Sequence, residues 1–137
     1  MKFYKRLTNI DTPMDFRISK KIGCDINSDY SQIRYFGGYD NNFILNDNSH
    51  DVATLYSDIT GITMKLYTTE PCVQLYTGNS IKEHRGKGHC VYNKYSGLCL
   101  ETQNFPNSIN VDSFPSSILY KNRYYRSQTI YSFEIMK

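Results

Sequence analysis

The sequence predicts an all-β fold, an antiparallel β-sandwich, and three observations carry that expectation. Seven short runs are rich in β-branched and aromatic residues. Aromatic content is high, with 13 Tyr and 7 Phe but no Trp, and such side chains suit the half-buried surface of a sheet. Helical periodicity is almost absent.

The runs come in order as Asn42 to Leu45, Val52 to Ser57, Ile62 to Thr68, Cys72 to Tyr76, Gly97 to Gln103, Ser117 to Tyr120 and Thr129 to Ile135. In the last, Thr129, Tyr131, Phe133 and Ile135 fall on one face and Ile130, Ser132 and Glu134 on the other, the period-two signature of a strand. Between two of the runs, Ser57-Asp58-Ile59-Thr60-Gly61 reads as a hairpin loop closed by a glycine that can take positive φ. Gly37-Gly38-Tyr39-Asp40-Asn41-Asn42-Phe43 reads as a tight turn and His84 to His89 as a polar loop, one that lacks the spacing of a phosphate-binding loop. Only Ser19 to Asp25 offers a short helical turn, interrupted by Gly23. Runs this short leave antiparallel pairing as the simplest way to bury them.

At 137 residues the chain suits one domain, 1–137. Its 16 Lys and Arg against 13 Asp and Glu give a formal charge of +3, too small and too mixed for a phosphate-binding surface, so nucleic acid is not an expected partner. Cys24, Cys72, Cys90 and Cys99 form no C-x-x-C pair, and no His spacing closes a zinc site, so no metal is expected. No run reaches the roughly 20 apolar residues of a membrane span, and Met1 to Asp15 lacks a signal-peptide core. The expected setting is a reducing cytoplasm, with no membrane partner.

Three polar side chains stand in or beside apolar runs. Glu101 alternates onto one face with Cys99 and Gln103, either as a solvated outer residue or as a carboxylate aimed into a polar cleft. Asp40 follows the glycine turn, either satisfying local backbone or binding a ligand. Gln74 lies inside an apolar strand, either as a bonded core amide or as a ligand group.

Four segments together, Thr12-Pro13-Met14-Asp15-Phe16-Arg17, Gly37 to Phe43, Tyr67 to Asn79 and Cys99 to Pro106, resemble the aldose 1-epimerase (galactose mutarotase) family. Phe114-Pro115-Ser116-Ser117-Ile118-Leu119 and Thr129 to Phe133 are similar to its C-terminal strands. The likeness runs through essentially the whole sequence yet answers to the C-terminal part of the family only, so the resemblance implies one incomplete domain, part of a large antiparallel supersandwich. It also implies an isomerase that interconverts the α and β anomers of aldohexoses such as galactose and glucose without any cofactor.

By the same resemblance Glu101 is the general base, while Asp40 and Gln74 bind sugar hydroxyls. A glutamate is ionised at neutral pH and can accept a proton, and carboxylate and amide groups suit hydroxyl ligands. The family's acid histidine, a second histidine and an arginine belong to its N-terminal part and have no counterpart here. His50, His84 and His89 sit in unrelated polar segments and are expected to be solvated. Asn41 stands where the family usually has His, Ser80 where an aromatic is common and Cys72 where Gly is frequent.

The chain alone is therefore expected to be inactive. The implied partners are the sugar and a separate N-terminal half, or other copies of the chain. A non-catalytic carbohydrate-binding or assembly module, or a decayed fragment, is the alternative.

Overall fold

The computed structural model describes residues 9–46 and 50–135. Its elements are a six-residue helix, α1 (Ser31–Phe36), and eight strands: β1 (Asp40–Ile44), β2 (Ala53–Tyr56), β3 (Ile62–Thr68), β4 (Cys72–Tyr76), β5 (His84–Arg85), β6 (Val91–Tyr92), β7 (Cys99–Gln103) and β8 (Thr129–Ile135). They form a three-stranded sheet in the order β1-β4-β7, a second in the order β2-β3-β8, and a two-stranded ribbon of β5 and β6. The all-β, antiparallel expectation holds.

Two elements correct the reading of the sequence. Ser117 to Tyr120 is no strand: those residues are exposed, follow Pro115 and have no ladder, the Ile118 N–H being taken by Ser116 Oγ at 3.2 Å. Strand propensity without a partner strand does not make a strand. The segment read as a polar loop from His84 to His89 instead begins with β5, paired to β6 with His84 opposite Tyr92. Helix α1 was not foreseen, and a 3₁₀ turn at Ile22–Cys24 occupies the short helical turn that was.

The chain divides into two compact units. The first comprises Met1–Asn41 and Leu75–Leu100, the second Asn42–Gln74 and Glu101–Lys137.

In the first unit Met14, Ile33, Tyr39 and Leu75 are buried. Ile33 is the one residue of α1 that buries its side chain, and burial of that size stabilises by about 1.5–3 kcal/mol. The Tyr39 ring packs edge-on against Phe16 with centroids 5.3 Å apart, and its hydroxyl donates to the Pro13 carbonyl at 2.9 Å. Lys20 lies over the other partner of that ring pair, 4.8 Å from the Phe16 centroid, while donating to Asp25 Oδ2 at 2.7 Å. The Thr-Pro-Met-Asp-Phe motif is thus a platform for Tyr39.

In the second unit β3 is the central strand of its sheet, antiparallel to β2 with Leu55 opposite Met64 and to β8 with Met64 opposite Phe133. The hairpin loop expected between β2 and β3 is present. Gly61 takes φ 72°, and its N–H donates to the Ser57 carbonyl at 2.8 Å. Thr63, Leu66, Thr68, Cys72 and Val73 are buried. Thr129 Oγ1 lies 3.1 Å from Thr68 Oγ1 and 2.7 Å from Thr102 Oγ1, a hydroxyl chain that links β3, β8 and β7. Glu70 is a buried carboxylate that accepts from the Tyr125 hydroxyl, pinning the long segment before β8.

β8 is the last strand of its sheet, and apart from Thr129 its side chains are exposed, with Phe133 67% and Ile135 73% accessible. Among the described residues this strand pairs along one edge, and six of its seven side chains are exposed, which leaves apolar surface available to a further partner.

Candidate functional site

Strand alternation places Glu101 and Gln103 on one face of β7 and Leu100 and Thr102 on the other. The contacts agree. Thr102 Oγ1 turns to Thr129 on β8, whereas Gln103 Nε2 donates to Asn42 Oδ1 at 2.9 Å and to Gln74 Oε1 at 3.3 Å. The side chains of Asn42, Gln74 and Gln103 therefore meet within the second unit, on the face to which Glu101 belongs. Glu101 itself is exposed and Gln74 is half-buried. An ionised carboxylate there can accept a proton from a bound hydroxyl, and a neighbouring amide can order that hydroxyl.

Two residues before Gln74 on the same strand lies Cys72, fully buried. Burial pushes its thiol above the ordinary value; a hydrogen bond with the Asn42 side chain opposes this and the Glu70 carboxylate adds to it. Cys72 is thus a neutral packing residue behind the amide group.

The first unit holds Asp40, at the head of β1 and half-buried. Its position is set by the residues before it. Gly38 has φ 142°, and a Cβ there would come within 2.2 Å of Asn79 Oδ1, so only glycine fits. The Tyr39 N–H donates to Thr77 Oγ1 at 3.0 Å, and Asn79 Nδ2 donates to the Tyr39 carbonyl at 2.8 Å. Gly-Gly-Tyr-Asp and Thr-Gly-Asn are therefore one interlocked structure, and Asp40 leaves it with a fixed direction. The Asp40 N–H donates to Asn41 Oδ1 at 3.1 Å, and Asn41, buried, donates through Nδ2 to Gln32 Oε1 at 3.3 Å. Asn41 is a structural amide here. Ser80 bonds the Tyr76 hydroxyl at 2.5 Å, a local contact at the other departure from the family pattern.

The structure thus brings Gln74 to the face of Glu101 and places Asp40 in the first unit. It adds Asn42 and Gln103, which the sequence signalled only by the shared face of Glu101 and Gln103. His50, His84 and His89 are all exposed. Among the described residues no cluster of three or more His, Cys, Asp or Glu could hold a metal, and no helix is long and apolar enough to cross a membrane.

The family model for aldose 1-epimerase matches residues 5–132. The chain belongs to the aldose 1-epimerase family. Galactose mutarotase of Mus musculus is 36% identical over 127 residues, which is 90% of this chain and 36% of that protein. The Homo sapiens galactose mutarotase is 38% identical over 104 residues, 74% of this chain and 30% of that protein. Aldose 1-epimerase of Escherichia coli (strain K12) is 33% identical over 127 residues, 89% of this chain and 36% of that protein. The crystal structure of a GalM/aldose epimerase homologue from C. elegans superposes with a TM-score of 0.82 at 22% identity, covering 95% of this chain and 39% of that one, which shows a shared fold. The chain spans about a third of the length of the curated relatives it matches, corresponding to their C-terminal part.

Proposed function

We propose that this chain supplies the base side of an aldose 1-epimerase site, acting on aldohexoses such as galactose and glucose. The observation that carries the reading is the placement of exposed Glu101 on the face of β7 where Gln103 and Gln74 bond to one another.

In the proposed reaction Glu101 takes the proton of the anomeric hydroxyl. The electron pair released forms the C1 carbonyl as the C1 to ring-oxygen bond breaks, and an acid delivers a proton to the ring oxygen. Rotation about C1–C2 and the reverse steps close the other anomer, so no atom is gained or lost. A positioned base contributes about 10²–10⁴ in rate. Gln74 and Asp40 are assigned to hold hydroxyls of the sugar, by hydrogen bonds worth about 0.5–1.5 kcal/mol each.

The acid is assigned to the part of the family's length that this chain does not match. We therefore take residues 1–137 as the C-terminal portion of one aldose 1-epimerase domain, a reading supported by a family match that runs through both units. The same reading gives the exposed apolar side chains of β8 a partner, the polypeptide corresponding to the rest of that length. The four cysteines are free thiols, which supports a reducing cytoplasm as the setting.

Galactose titration followed by amide NMR tests the proposal. Shifts centred on Glu101, Gln74 and Asp40 at millimolar sugar are expected, and an unchanged spectrum at high sugar overturns it.

A further inference from the structure

The first unit holds a cavity that none of Glu101, Gln74 and Asp40 lines. It measures about 540 Å³ and is lined by Ile81, Lys82, His84, Tyr92, Ser96 and Gly97, all within the Leu75–Leu100 part of that unit. Cavities that take small molecules hold roughly 300–1,000 Å³.

Two glycines set its walls. The carbonyl of Gly78, a residue with φ 67°, accepts from the Ile81 N–H at 3.2 Å and from the Tyr95 N–H at 3.3 Å. One turn thus holds both Ile81 and the segment that leads to Ser96 and Gly97. A Cβ at Gly78 would stand 3.0 Å from Ile81 Cδ1, so the isoleucine packs against that turn. On the ribbon, β5 and β6 set Tyr92 opposite His84, and a Cβ at Gly86 would collide with the Tyr92 ring. Gly86 has φ −105°, open to any residue, so what the glycine supplies is room for that ring. The Asn93 N–H donates to Ser96 Oγ at 2.8 Å and the Ser96 N–H to the Asn93 carbonyl at 2.9 Å, which closes the turn after β6.

The charge around the cavity is one-sided. Residues 79–100 carry Lys82, Arg85, Lys87 and Lys94 against a single acidic side chain, Glu83, which does not line the cavity. Among the described residues neither Lys82 nor His84 is paired with a carboxylate. An ammonium and an imidazole N–H both donate to anions, and a concentration of like charge raises the local concentration of the opposite one. A bare anion would leave the Ile81 and Tyr92 walls wet, and a neutral apolar body would leave Lys82 unanswered. An aldohexose fits poorly, since it has no charge and would set its hydroxyls against apolar walls.

We propose that this cavity binds a small amphipathic anion, with an aromatic body seated against Ile81 and Tyr92 and a carboxylate or phosphate met by Lys82 and His84. Tyr92 favours an aromatic body because rings gain from stacking beyond the area they bury. The site is separate from the sugar site and stands or falls without it.

Fluorescence titration of the 137-residue chain with naphthoate tests the proposal. Naphthalenemethanol serves as the neutral counterpart, and inorganic phosphate, read by displacement of naphthoate, as the anion without a body. Naphthoate should bind about tenfold more tightly than either. Lys82 is exposed, so its replacement leaves the fold in place. Lys82→Glu should weaken naphthoate about tenfold by setting like charges together, while naphthalenemethanol binds as before. Gly86→Ala, which displaces the Tyr92 ring, should weaken both. Absence of naphthoate binding, or equal binding by the parent and Lys82→Glu, would overturn the proposal. Displacement of naphthoate by D-galactose would overturn it by assigning the cavity to the sugar site. Loss of naphthoate binding on addition of the N-terminal part of a related aldose 1-epimerase would overturn it by making the cavity a seat for that polypeptide.

Discussion

The Asn79 side chain donates from Nδ2 to the Tyr39 carbonyl at 2.8 Å and accepts at Oδ1 from the Thr77 hydroxyl at 2.6 Å. One asparagine thereby ties the Thr-Gly-Asn motif to the Gly-Gly-Tyr-Asp motif, across 40 positions of sequence, and fixes the start of the strand that carries Asp40.

Replacing Gly38 by alanine should break this lock. The new methyl group would meet Asn79 Oδ1 at a spacing no carbon tolerates, in a backbone conformation that disfavours any side chain. Overpacking of this kind costs roughly 1–3 kcal/mol, and thermal unfolding of Gly38→Ala against the parent measures it. A transition temperature equal to the parent's would show that Asn79 can leave its place freely.

Tyr39 makes the fold sensitive to alkali. Burial, followed by the charges of Asp25 and Cys24, pushes its phenol up to about 12. The unfolded chain titrates near 10, so the stability that depends on the neutral phenol is fully present below pH 10 and is lost as pH rises from about 10 to 12. Tyr39→Phe should cost about 0.5–1.5 kcal/mol at neutral pH, for the hydrogen bond to Pro13, and should flatten this alkaline loss. Urea unfolding at pH 7 to 11 checks both parts, and an unaltered slope in the variant would assign the alkaline loss to another group such as Cys72.

The exposed side chains of β8 predict self-association of the isolated chain. Phe133→Lys places a charge on the middle of that strand, and natural edges are blunted in the same way. Size-exclusion chromatography should show the parent shifting to larger species with concentration and the variant shifting less. A parent that stays monomeric would mean the strand is self-sufficient.

The fold class was legible because strands announce themselves by alternation and by β-branched and aromatic content. Where those signals met a partner strand, as at Ile62–Thr68 and Thr129–Ile135, the bounds were right to the residue. Ser117 to Tyr120 had the same composition and no neighbour to pair with, a property no local window contains. The two-residue strands β5 and β6 are too short to alternate at all. Helix α1 escaped notice because Ser-Gln-Ile-Arg-Tyr-Phe has one buried side chain and no side-chain cap, and a helix of six residues holds by packing rather than propensity.

The candidate site divides in the same manner. Glu101, Asp40 and Gln74 came from motif resemblance, and alternation along β7 put Gln103 beside Glu101. The bond from Gln103 to Gln74 joins residues 29 positions apart, and only strand neighbourhood could reveal it.

Mutarotation of α-D-galactose followed by polarimetry tests the central claim, that Glu101 is the base of an aldose 1-epimerase site. The 137-residue chain alone should follow the buffer rate, since the proposal assigns the acid to the part of the family's length that this chain does not match. Adding the separately expressed N-terminal part of a related aldose 1-epimerase should raise the rate, and Glu101→Gln should abolish that gain. A chain that mutarotates galactose alone, or a reconstituted rate that Glu101→Gln leaves intact, would contradict the account.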